Sequence, residues 1–439
     1  MTVREIALSL LNEYELGGKY VNLSLSSHKA DSLSREDRGF LTALLYTAVE
    51  RKITYDYFIG AISSRSNEKI DITTLNILRL GMAQLLNMDS VPSHAAVNET
   101  VKLARNPGER GFVNGVLRQT IRLKESGELP MPNREKNAAR YLSVKHSFPL
   151  WMAKHFVRLF GEGDAEKLFE RFNTARYTDL TVNLSKISRD DFLALLRGNG
   201  FSAECGVSSL TVRLNDSVNP RLLPGFEEGY FFVQDSASSI AVEALGVNVG
   251  DSVIDVCACP GGKSFAAAII AGADGRVASF DIHESKLSLV TDGAKRLGLP
   301  NVTADACDAT KPREELYGSF DRVVCDAPCS GLGVLAKKPD IRHKGNESLQ
   351  ELPKLQLEIL EKSAKYLKRG GYMTYSTCTI NPMENEDVVT EVLKSNPEYS
   401  LCDFTVGDIA SHGGMLTLLP HVHGTDGFFI AKIKKEKYD

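Results

Sequence analysis

The chain of 439 residues has no Cys-x-x-Cys pair, no long apolar run and no strong net charge of either sign. Its eight cysteines, without such a pair, argue against a disulfide framework and against a zinc ribbon or finger. His421 and His423 have no cysteine or acidic partner beside them, and we predict a loop there and no metal site. The cysteines are therefore expected to be free thiols.

The longest apolar run, near Phe265–Ala271, is far too short to span a bilayer. The first residues, Met1–Ile6, lead into amphipathic sequence that is not typical of a signal peptide. With 43% hydrophobic and 25% charged residues, the composition is that of a globular protein, and the length predicts two to four domains. We expect a cytoplasmic protein without a membrane partner, and a monomer, because nothing in the sequence suggests an obligate dimer.

Positive charge is concentrated in one part of the chain, although the formal net charge is only −4. Between Lys102 and Arg176 there are fifteen Lys and Arg against eight Asp and Glu, which leaves a net charge of −11 for the rest. A solvated helix face is one explanation, and a surface that binds phosphate groups is the other. The second explanation predicts a nucleic-acid contact formed by Lys102, Arg105, Arg110, Arg118, Arg122 and Lys124.

Apolar residues at three- and four-residue spacing predict an all-α domain over residues 1–126. The stretch Ser126–Pro132 contains two prolines and a glycine, and it is the clearest domain boundary in the chain. A helical linker is predicted over 127–176. A strand, a helix and a second strand between Leu180 and Leu214 predict a small βαβ, RRM-like subdomain over 177–230.

Strands and helices alternate in the last domain, residues 231–439. This alternation predicts a doubly wound, Rossmann-like α/β sheet of parallel strands that binds ligands at the carboxyl ends of its strands. The predicted strands are Ser252–Val256, Arg276–Phe280, Val302–Ala306, Arg322–Cys325, Tyr372–Tyr375 and Gly427–Ile433. The predicted helices are Lys263–Ala271, Glu284–Leu297, Glu347–Leu367 and Glu384–Leu393.

A glycine-rich turn follows the first of these strands and opens a helix. Its Gly-Lys-Ser ending resembles a phosphate-binding loop, but that motif needs glycine where this chain has Cys257. Paired glycines allow a ligand to approach the backbone closely at the positive end of a helix, which favours a carboxylate. S-adenosylmethionine has such a carboxylate, and its predicted binding loop is Cys257, Ala258, Cys259, Pro260, Gly261, Gly262 and Lys263.

Acidic residues follow the next two strands. Asp281 closes the second strand, where a carboxylate accepts hydrogen bonds from the ribose hydroxyls of an adenosine-bearing cofactor. Asp308, after the third strand, is a candidate acceptor for the adenine amino group, and Asp305 competes for that role. A turn or a helix cap is the simpler explanation of either third-strand acid taken alone. In series with the glycine loop, these acids favour an S-adenosylmethionine site.

Two cysteines follow the fourth and fifth strands, Cys329 after Asp326 and Cys378 in Tyr375–Thr379. Either cysteine taken alone is a candidate buried structural thiol. Together, at one edge of the sheet, they suit methylation at carbon 5 of a pyrimidine, which is not nucleophilic until a thiolate adds to carbon 6. One cysteine would attack and the other assist departure, while Asp326 contacts N3 and the exocyclic amine of the base.

Further motifs of residues 231–439 are Val233–Ala237, Asp326–Gly331, Lys338–Arg342, Asn381–Glu386 and His423–Phe429. Together with the glycine loop and both cysteines, they resemble the RNA 5-methylcytosine methyltransferases of the NOL1/NOP2/Sun family. The first 120 residues contain another set of motifs, namely Ala7–Leu11, Ile77–Leu86, Pro92–Glu99 and Gly111–Arg118. This set is similar to the NusB family, an RNA-binding helical fold.

The resemblance implies S-adenosylmethionine-dependent methylation of a cytosine in 16S ribosomal RNA, either naked or in a partly assembled small subunit. It implies that Cys378 is the attacking nucleophile and that Cys329 assists release. It also implies that Asp281, Asp308 and Asp326 line the cofactor beside the glycine loop. Another ribosomal or transfer RNA site is the alternative substrate.

The chain departs from the family pattern at Cys259, where many members have alanine, and this adds a third thiol near the methyl donor. Two other functions are weighed against this one. A DNA cytosine methyltransferase would lack the equivalent of Cys378. A NusB-like RNA-binding factor with a decayed catalytic domain would be expected to have lost a loop glycine, Asp326 or one thiol, and all of these are present.

Overall fold

The structure, a computed structural model, describes residues 1–17, 33–174, 177–215, 218–338, 341–342, 345–346 and 348–436. The chain divides into two compact units, Met1–Asn173 with Lys338–Lys344, and Thr174–Lys337 with Gly345–Asp439. A few residues of the predicted features lie outside the described residues: Arg176 of the basic segment, Pro339 and Asp340 of the Lys338–Arg342 motif, and Glu347 at the start of a predicted helix.

The first unit is helical in its described residues. Its helices are α1 (Val3–Gly17), α2 (Arg35–Glu50), α3 (Lys52–Ser63), α4 (Ile72–Asn87), α5 (Ser93–Val101), α6 (Pro107–Ser126), α7 (Ala138–His146) and α8 (Leu150–Thr174). Among the described residues of the whole chain, no helix combines the length and the apolar character that a membrane crossing requires.

Helix α4 is the centre of the first unit. It begins at Asp71, whose side chain accepts a hydrogen bond from the Thr74 N–H, and its residues from Thr74 to Leu85 are buried. It packs against α1, α2, α5 and α6. Its one buried guanidinium, that of Arg79, donates to both carboxylate oxygens of Asp56 at 2.7 Å. Satisfying a buried charge in this way lets an otherwise apolar helix occupy the core.

The predicted domain boundary follows α6, which ends at Gly127 in the left-handed conformation with φ +73°. The helical stretch beyond it consists of two helices, and α8 is kinked at Gly161, where φ is +76° and ψ is 169°. Aromatic residues of this helical stretch pack together around Phe148, just before α8, and Phe156 within it. Arg342, although later in the chain, belongs to this unit, and its guanidinium lies 4.2 Å from the centre of the Phe148 ring.

The small subdomain of the second unit is a four-stranded antiparallel sheet. Its strands are β1 (Thr178–Val182), β2 (Ala203–Cys205), β3 (Thr211–Leu214) and β4 (Phe231–Val233), in the order β2-β3-β1-β4, and its helix is α9 (Arg189–Gly198). The prediction of a simple βαβ unit was wrong, because β1 and β3 pair antiparallel. The unpredicted strand β2 forms a hairpin with β3 and reverses the direction of the chain.

The main sheet has the order β10-β14-β9-β8-β5-β6-β7, with β13 paired to β14. Strands β5 to β9 run parallel, as predicted, and their carboxyl ends meet at one edge. The last strand, β14, was expected to be parallel but runs antiparallel to β9. These strands are β5 (Ser252–Asp255), β6 (Arg276–Asp281), β7 (Val302–Ala306), β8 (Phe320–Asp326), β9 (Leu367–Thr377), β10 (Tyr399–Leu401), β13 (Met415–Leu418) and β14 (Phe428–Lys435), and the hairpin β11 (Thr405–Val406) and β12 (Ile409–Ala410) lies apart from them.

The helices of the second unit alternate with these strands. They are α10 (Ser236–Leu245), α11 (Gly262–Ala271), α12 (Leu287–Leu297), α13 (Ser348–Ala364), α14 (Glu386–Ser395) and the short α15 (Pro420–His423). Helix α13 ends before the predicted Leu367, because Leu367 already belongs to β9 and pairs with Phe320 of β8. Apolar residues of β5, β8 and β9 and of the flanking helices α13 and α14 form one core that supports the edge with the carboxyl ends.

Candidate active site

The glycine-rich loop joins β5 to α11 and turns sharply at Gly261. Gly261 has φ +112°, which L side chains rarely adopt, and a Cβ there would lie 2.5 Å from the Phe265 ring. A Cβ on Gly262 would lie 2.9 Å from Nε2 of Gln234. Gly261 therefore requires glycine, whereas at Gly262 the Gln234 side chain would have to move. The backbone at the amino terminus of α11 suits an anionic ligand.

A buried carboxylate, that of Asp255, lies beneath this loop. It accepts a hydrogen bond from the Ser264 hydroxyl at 2.8 Å, and the Ser279 hydroxyl donates to Ser264 at 2.9 Å. Burial raises the pKa of Asp255 to about 7, against the opposing effects of the Ser264 hydrogen bond and the Lys263 charge. Asp255 is not among the site residues predicted from the sequence.

Asp281 lies at the end of β6 and is bonded to the loop. Its Oδ2 accepts from the Cys259 N–H at 3.0 Å, and its Oδ1 accepts from the His283 N–H at 2.9 Å. Burial and the Asp281 carboxylate raise the pKa of the Cys259 thiol to about 11, so this third thiol is neutral at physiological pH. The next side chain, Ile282, is 62% exposed and presents an apolar surface at the same edge.

Asp305 and Asp308 differ in their positions. Asp305 lies within β7, is exposed, and pairs with Arg313 at 3.6 Å. Asp308 follows the end of β7, and its Oδ1 accepts from the N–H and the hydroxyl of Thr310 at 2.9 and 2.7 Å. The Thr310 hydrogen bonds lower the pKa of Asp308, so its carboxylate stays ionised and can accept hydrogen bonds. Of the two acids, Asp308 is the one at the carboxyl end of its strand.

Asp326 ends β8 and holds two polar partners. Its Oδ2 accepts from the Lys263 ammonium at 2.7 Å, and its Oδ1 accepts from the Ser376 hydroxyl at 2.7 Å. Burial acts to lower the pKa of Lys263, but the carboxylates of Asp326 and Asp255 raise it above its usual value, so Lys263 stays protonated. Lys263 was predicted as a part of the cofactor loop, and the structure additionally pairs it with Asp326.

The two cysteines lie together at the carboxyl ends of neighbouring strands. Cys378 directly follows β9, Cys329 lies three residues beyond β8, and their sulfur atoms are 3.1 Å apart as free thiols. The hydrogen bond to Cys378, together with burial and the charges of Glu384 and Asp326, raises the pKa of Cys329 well above its usual value. Cys329 is therefore a neutral thiol in this arrangement.

Two glycines bring a third loop against the cysteines. The Gly333 N–H donates to the Cys378 carbonyl at 3.0 Å, and the Gly427 N–H donates to the Gly333 carbonyl at 2.9 Å. A Cβ on Gly333 would lie only 1.9 Å from the Gly427 carbonyl oxygen. The turn after Cys329 is thus held against Cys378 by backbone contacts that tolerate no side chain.

Sequence reasoning missed the polar residues behind the cysteine turns. Glu384, inside the Asn381–Glu386 motif, is fully buried and accepts hydrogen bonds from Ser330 and Gln356. The motif itself was noticed, but nothing in a sequence indicates that its carboxylate points at a turn more than fifty residues earlier. The one signal in the sequence was a glutamate, Glu384, that follows Pro382 and Met383.

The six basic residues of the predicted phosphate contact fall into two groups. Three are bonded within the first unit: Lys102 to Glu99, Arg105 to Asp71 and Glu109, and Lys124 to the Leu85 carbonyl. The other three are exposed on one face of α6, and among the described residues their hydrogen bonds go to neutral groups: Arg110 to the Ala104 carbonyl, Arg118 to Asn114, and Arg122 to Gln119.

Models of three protein families match the chain in succession. The NusB family matches residues 1–122, and the ferredoxin-like domain of RsmF/B-like methyltransferases matches residues 148–220. The family described as 16S rRNA methyltransferase RsmB/F matches residues 242–434.

Proteins of similar sequence span the whole chain. The probable ribosomal RNA small subunit methyltransferase B of Bacillus subtilis is 33% identical over 455 residues, which cover 99% of both chains. That of Synechocystis sp. is 34% identical over 99% of this chain and 100% of its own. The crystal structure of PH0851 has a TM-score of 0.79 at 25% identity, over 99% of this chain and 98% of that one.

The Rossmann-like sheet, the glycine loop and these similarities define an S-adenosylmethionine-dependent methyltransferase of ribosomal RNA. The chain belongs to the RsmB/F family of 16S rRNA methyltransferases. The predicted order of domains is confirmed, with a NusB-like helical domain first and a Rossmann-like methyltransferase domain last. The small domain between them, predicted as an RRM-like βαβ unit, is matched as ferredoxin-like. The predicted cofactor, S-adenosylmethionine, is confirmed at the level of the family.

Proposed function

We propose that this protein methylates carbon 5 of a cytosine in 16S ribosomal RNA through a covalent bond between Cys378 and carbon 6 of the base. The proposal is carried by the 3.1 Å contact between the Cys329 and Cys378 thiols. Methylation of a nitrogen or an oxygen needs no thiol pair, whereas pyrimidine carbon 5 needs a sulfur nucleophile at carbon 6. The printed names of the family and its relatives support 16S rRNA as substrate, and another ribosomal or transfer RNA site is the alternative.

S-adenosylmethionine supplies an electrophilic methyl group when it is bound. We assign its carboxylate to the loop Cys257–Lys263 at the amino terminus of α11, where the helix dipole favours a negative charge. We assign the ribose hydroxyls to Asp281 and the adenine amino group to Asp308. Each Asp281 oxygen accepts one backbone N–H and retains a lone pair for a further hydrogen bond. Asp326 borders the same loop through its ion pair with Lys263.

Cys378 is the proposed nucleophile because the charges around the two thiols differ. Lys263 and Cys378 interact electrostatically, and an ammonium group favours the thiolate form of a neighbouring cysteine. The pKa of Cys329 is raised by its hydrogen bond to Cys378, by burial and by the nearby carboxylates. We therefore propose that the Cys378 sulfur adds to carbon 6 and makes carbon 5 nucleophilic.

Asp326 and Lys263 are proposed to hold the target base during this addition. The Asp326 carboxylate is proposed to accept a hydrogen bond from the exocyclic amine of cytosine. Negative charge develops on the ring as sulfur adds to carbon 6, and the buried Lys263 ammonium, 2.7 Å from Asp326, stabilises it. A fixed ion pair of this kind needs little reorganisation when the charge appears.

Release requires the proton on carbon 5 to leave and the bond between carbon 6 and sulfur to break. As a base removes that proton, its bonding electrons re-form the double bond of the ring, and the electrons of the carbon–sulfur bond return to Cys378. Water serves as that base, and we assign to Cys329, a neutral thiol, the donation of a hydrogen bond to the departing Cys378 sulfur, which lies 3.1 Å from its own sulfur. In this mechanism the Cys378 sulfur attacks the base and the Cys329 thiol assists its release.

Bisulfite sequencing of 16S rRNA tests the proposed function directly. In cells without this protein we expect one cytosine to lose its 5-methyl group, and we expect the wild-type chain, but not Cys378→Ala, to restore it. Loss of methylation at a different ribosomal or transfer RNA site instead would establish the alternative substrate. An unchanged methylcytosine map in all of these RNAs would contradict the proposal.

We also propose that the arginine face of α6, made of Arg110, Arg118 and Arg122, contacts RNA phosphates. In the double variant Arg118→Ala/Arg122→Ala, we expect the magnitude of the slope of log affinity against log salt to fall by about 1.4 to 1.8, since each lost phosphate contact removes about 0.7 to 0.9. This slope is measured by filter binding of a 16S rRNA fragment at several salt concentrations.

The matched control for this prediction is Arg105→Ala. Its guanidinium already pairs with Asp71 and Glu109, so its removal should leave the salt slope near that of the wild type. A slope that stays unchanged in the double variant would mean that the α6 face does not bind phosphates. Cofactor affinity should be the same in all three proteins, because the substitutions lie in the first unit.

A further inference from the structure

Glu384 is a buried carboxylate to which the mechanism above assigns no part. Both of its oxygens are fully engaged by protein donors. Its Oε1 accepts from the Ser330 hydroxyl at 2.6 Å and from Asn381 Nδ2 at 3.0 Å. Its Oε2 accepts from the Ser330 N–H at 2.8 Å and from Gln356 Nε2 at 3.1 Å. Four donors on one carboxylate make a rigid junction, since bonds to an ionised group are short and strong.

This junction holds the residues on both sides of Cys329. Ser330 follows Cys329 and gives Glu384 two hydrogen bonds, one from its backbone and one from its side chain. Pro328 precedes Cys329, and its carbonyl accepts from Gln356 Nε2 at 2.9 Å. Gln356 therefore bridges the Pro328 carbonyl and the Glu384 carboxylate. The turn that carries Cys329 is fixed at both ends by one buried pair of side chains.

The same junction is tied to the strand that carries Cys378. The Tyr375 hydroxyl, in β9, donates to the Glu384 carbonyl at 2.6 Å. Thr379, next to Cys378, shares a 2.8 Å hydrogen bond with the Ser330 hydroxyl. Glu384 thus connects the two cysteine turns through polar contacts on either side of the thiol pair. Its position fits a role in setting the distance between the two sulfur atoms.

We propose that Glu384 is a positioning residue that holds Cys329 in register with Cys378 for the release step. The proposal rests on the proposed function, because it takes the division of labour between the two thiols as given. The Glu384 charge also contributes to the raised pKa of Cys329, after the hydrogen bond to Cys378 and burial. Attack by Cys378 does not require Cys329 in place, so a displaced Cys329 impairs release more than attack.

The variant Glu384→Gln tests this role. An amide group has an acceptor on one side only, so its NH2 group would face two of the four donors in either orientation. We expect the Cys329 turn to shift, kcat to fall by about a hundred-fold, as for a misplaced reacting group, and KM for a 16S rRNA transcript to stay within about two-fold. During turnover, a protein–RNA adduct that survives denaturing electrophoresis should accumulate.

Two further variants make the test specific. Ser330→Ala removes only the hydroxyl bonds to Glu384 and Thr379, so it should produce the same adduct in a smaller amount. Glu386→Gln is the matched control, because this carboxylate, two residues further on at the start of α14, accepts from Thr417 at 3.0 Å and should give wild-type kcat without an adduct. Binding of S-adenosylhomocysteine, measured by calorimetry, should be equal in all variants and shows that the second unit is folded.

The outcomes separate this inference from the proposed function. If Cys329→Ala forms an adduct while Glu384→Gln and Ser330→Ala form none, or if Glu384→Gln raises KM at unchanged kcat, the positioning role is overturned. Loss of S-adenosylhomocysteine binding in Glu384→Gln together with an adduct-free, wild-type-like Ser330→Ala would equally overturn it, because Glu384 would then serve folding alone. If Cys329→Ala itself forms no adduct, the proposed function fails, whatever Glu384 does.

Discussion

Cys378→Ala is expected to lose methylation of 16S rRNA by a factor of at least about 10^4, the order seen when a covalent nucleophile is removed. Carbon 5 of cytosine is a poor nucleophile, and without sulfur on carbon 6 nothing in the site activates it. The hydrogen bond to Cys378 contributes most to the raised pKa of Cys329 and is lost in this variant, but burial and the charges of Glu384 and Asp326 remain, so we expect Cys329 to stay a thiol and not to substitute as nucleophile. Incorporation of the labelled methyl group into the RNA measures the loss.

The matched control is Cys205→Ala, which removes an exposed thiol from β2 of the small sheet. This variant should retain wild-type turnover. Binding of S-adenosylhomocysteine should be the same in both variants, because the cofactor loop and Asp281 are unaltered. Residual turnover within ten-fold of the wild type in Cys378→Ala would show that another group is the nucleophile.

Cys329→Ala is expected to arrest the reaction after attack. Cys378 can still add to carbon 6, but release is slowed, so most of the enzyme should become bonded to its RNA. Denaturing electrophoresis should then show a slower-migrating protein band that disappears with ribonuclease and requires the cofactor. We expect turnover to fall by about 10^2- to 10^4-fold, the usual range for loss of a proton-transfer group. The wild-type protein should show only a trace of this band.

The reverse pattern would identify a different chemistry. An enzyme that attacks with the cysteine of its Pro-Cys motif would form the adduct in the Cys378→Ala variant and not in Cys329→Ala. Equal, small effects of both substitutions would mean that the thiol pair is structural. The 3.1 Å contact does not distinguish attacker from helper, and the trapping experiment is what assigns the two roles.

The main features of the site follow from a rule that needs no side-chain detail. Because the carboxyl ends of parallel strands meet at one edge, residues at the ends of β5, β6, β8 and β9 lie near one another even when they are far apart in the chain. Asp281, Asp326 and Cys378 were predicted to lie at this edge from their positions at strand ends, whereas the role of Cys378 as nucleophile was implied by the family resemblance. The glycine loop was predicted because its composition specifies both a tight turn and a helix start.

Other features depend on contacts between distant residues and leave no local signal. The hairpin of β2 and β3 and the antiparallel direction of β14 are examples, since each is fixed by which neighbour a short strand pairs with. The Lys263–Asp326 pair joins residues that the sequence analysis assigned to separate motifs. Glu384 is the clearest example of a residue without a local signal, because nothing in the sequence distinguishes this fully buried carboxylate from an exposed acid in a loop.

The basic segment shows why a count of charges overestimates a binding surface. Six basic residues were predicted to contact phosphates, but Arg105 is engaged by Asp71 and Glu109. Arg118 and Arg122 lie on one face because residues four apart on a helix are one above the other, and Arg110 lies two turns earlier on the adjoining side. The periodicity was available in the sequence, whereas the partners of Arg105 and Lys124 were not.

The proposed mechanism is tested most directly by locating the covalent bond between the protein and the RNA base. The Cys329→Ala protein would be incubated with 16S rRNA and S-adenosylmethionine, digested with ribonuclease and protease, and examined by mass spectrometry. We predict that the added nucleotide is a methylated cytidine bonded to the sulfur of Cys378. A nucleotide on any other residue, or its complete absence while methylation proceeds, would contradict the central claim that Cys378 attacks the base.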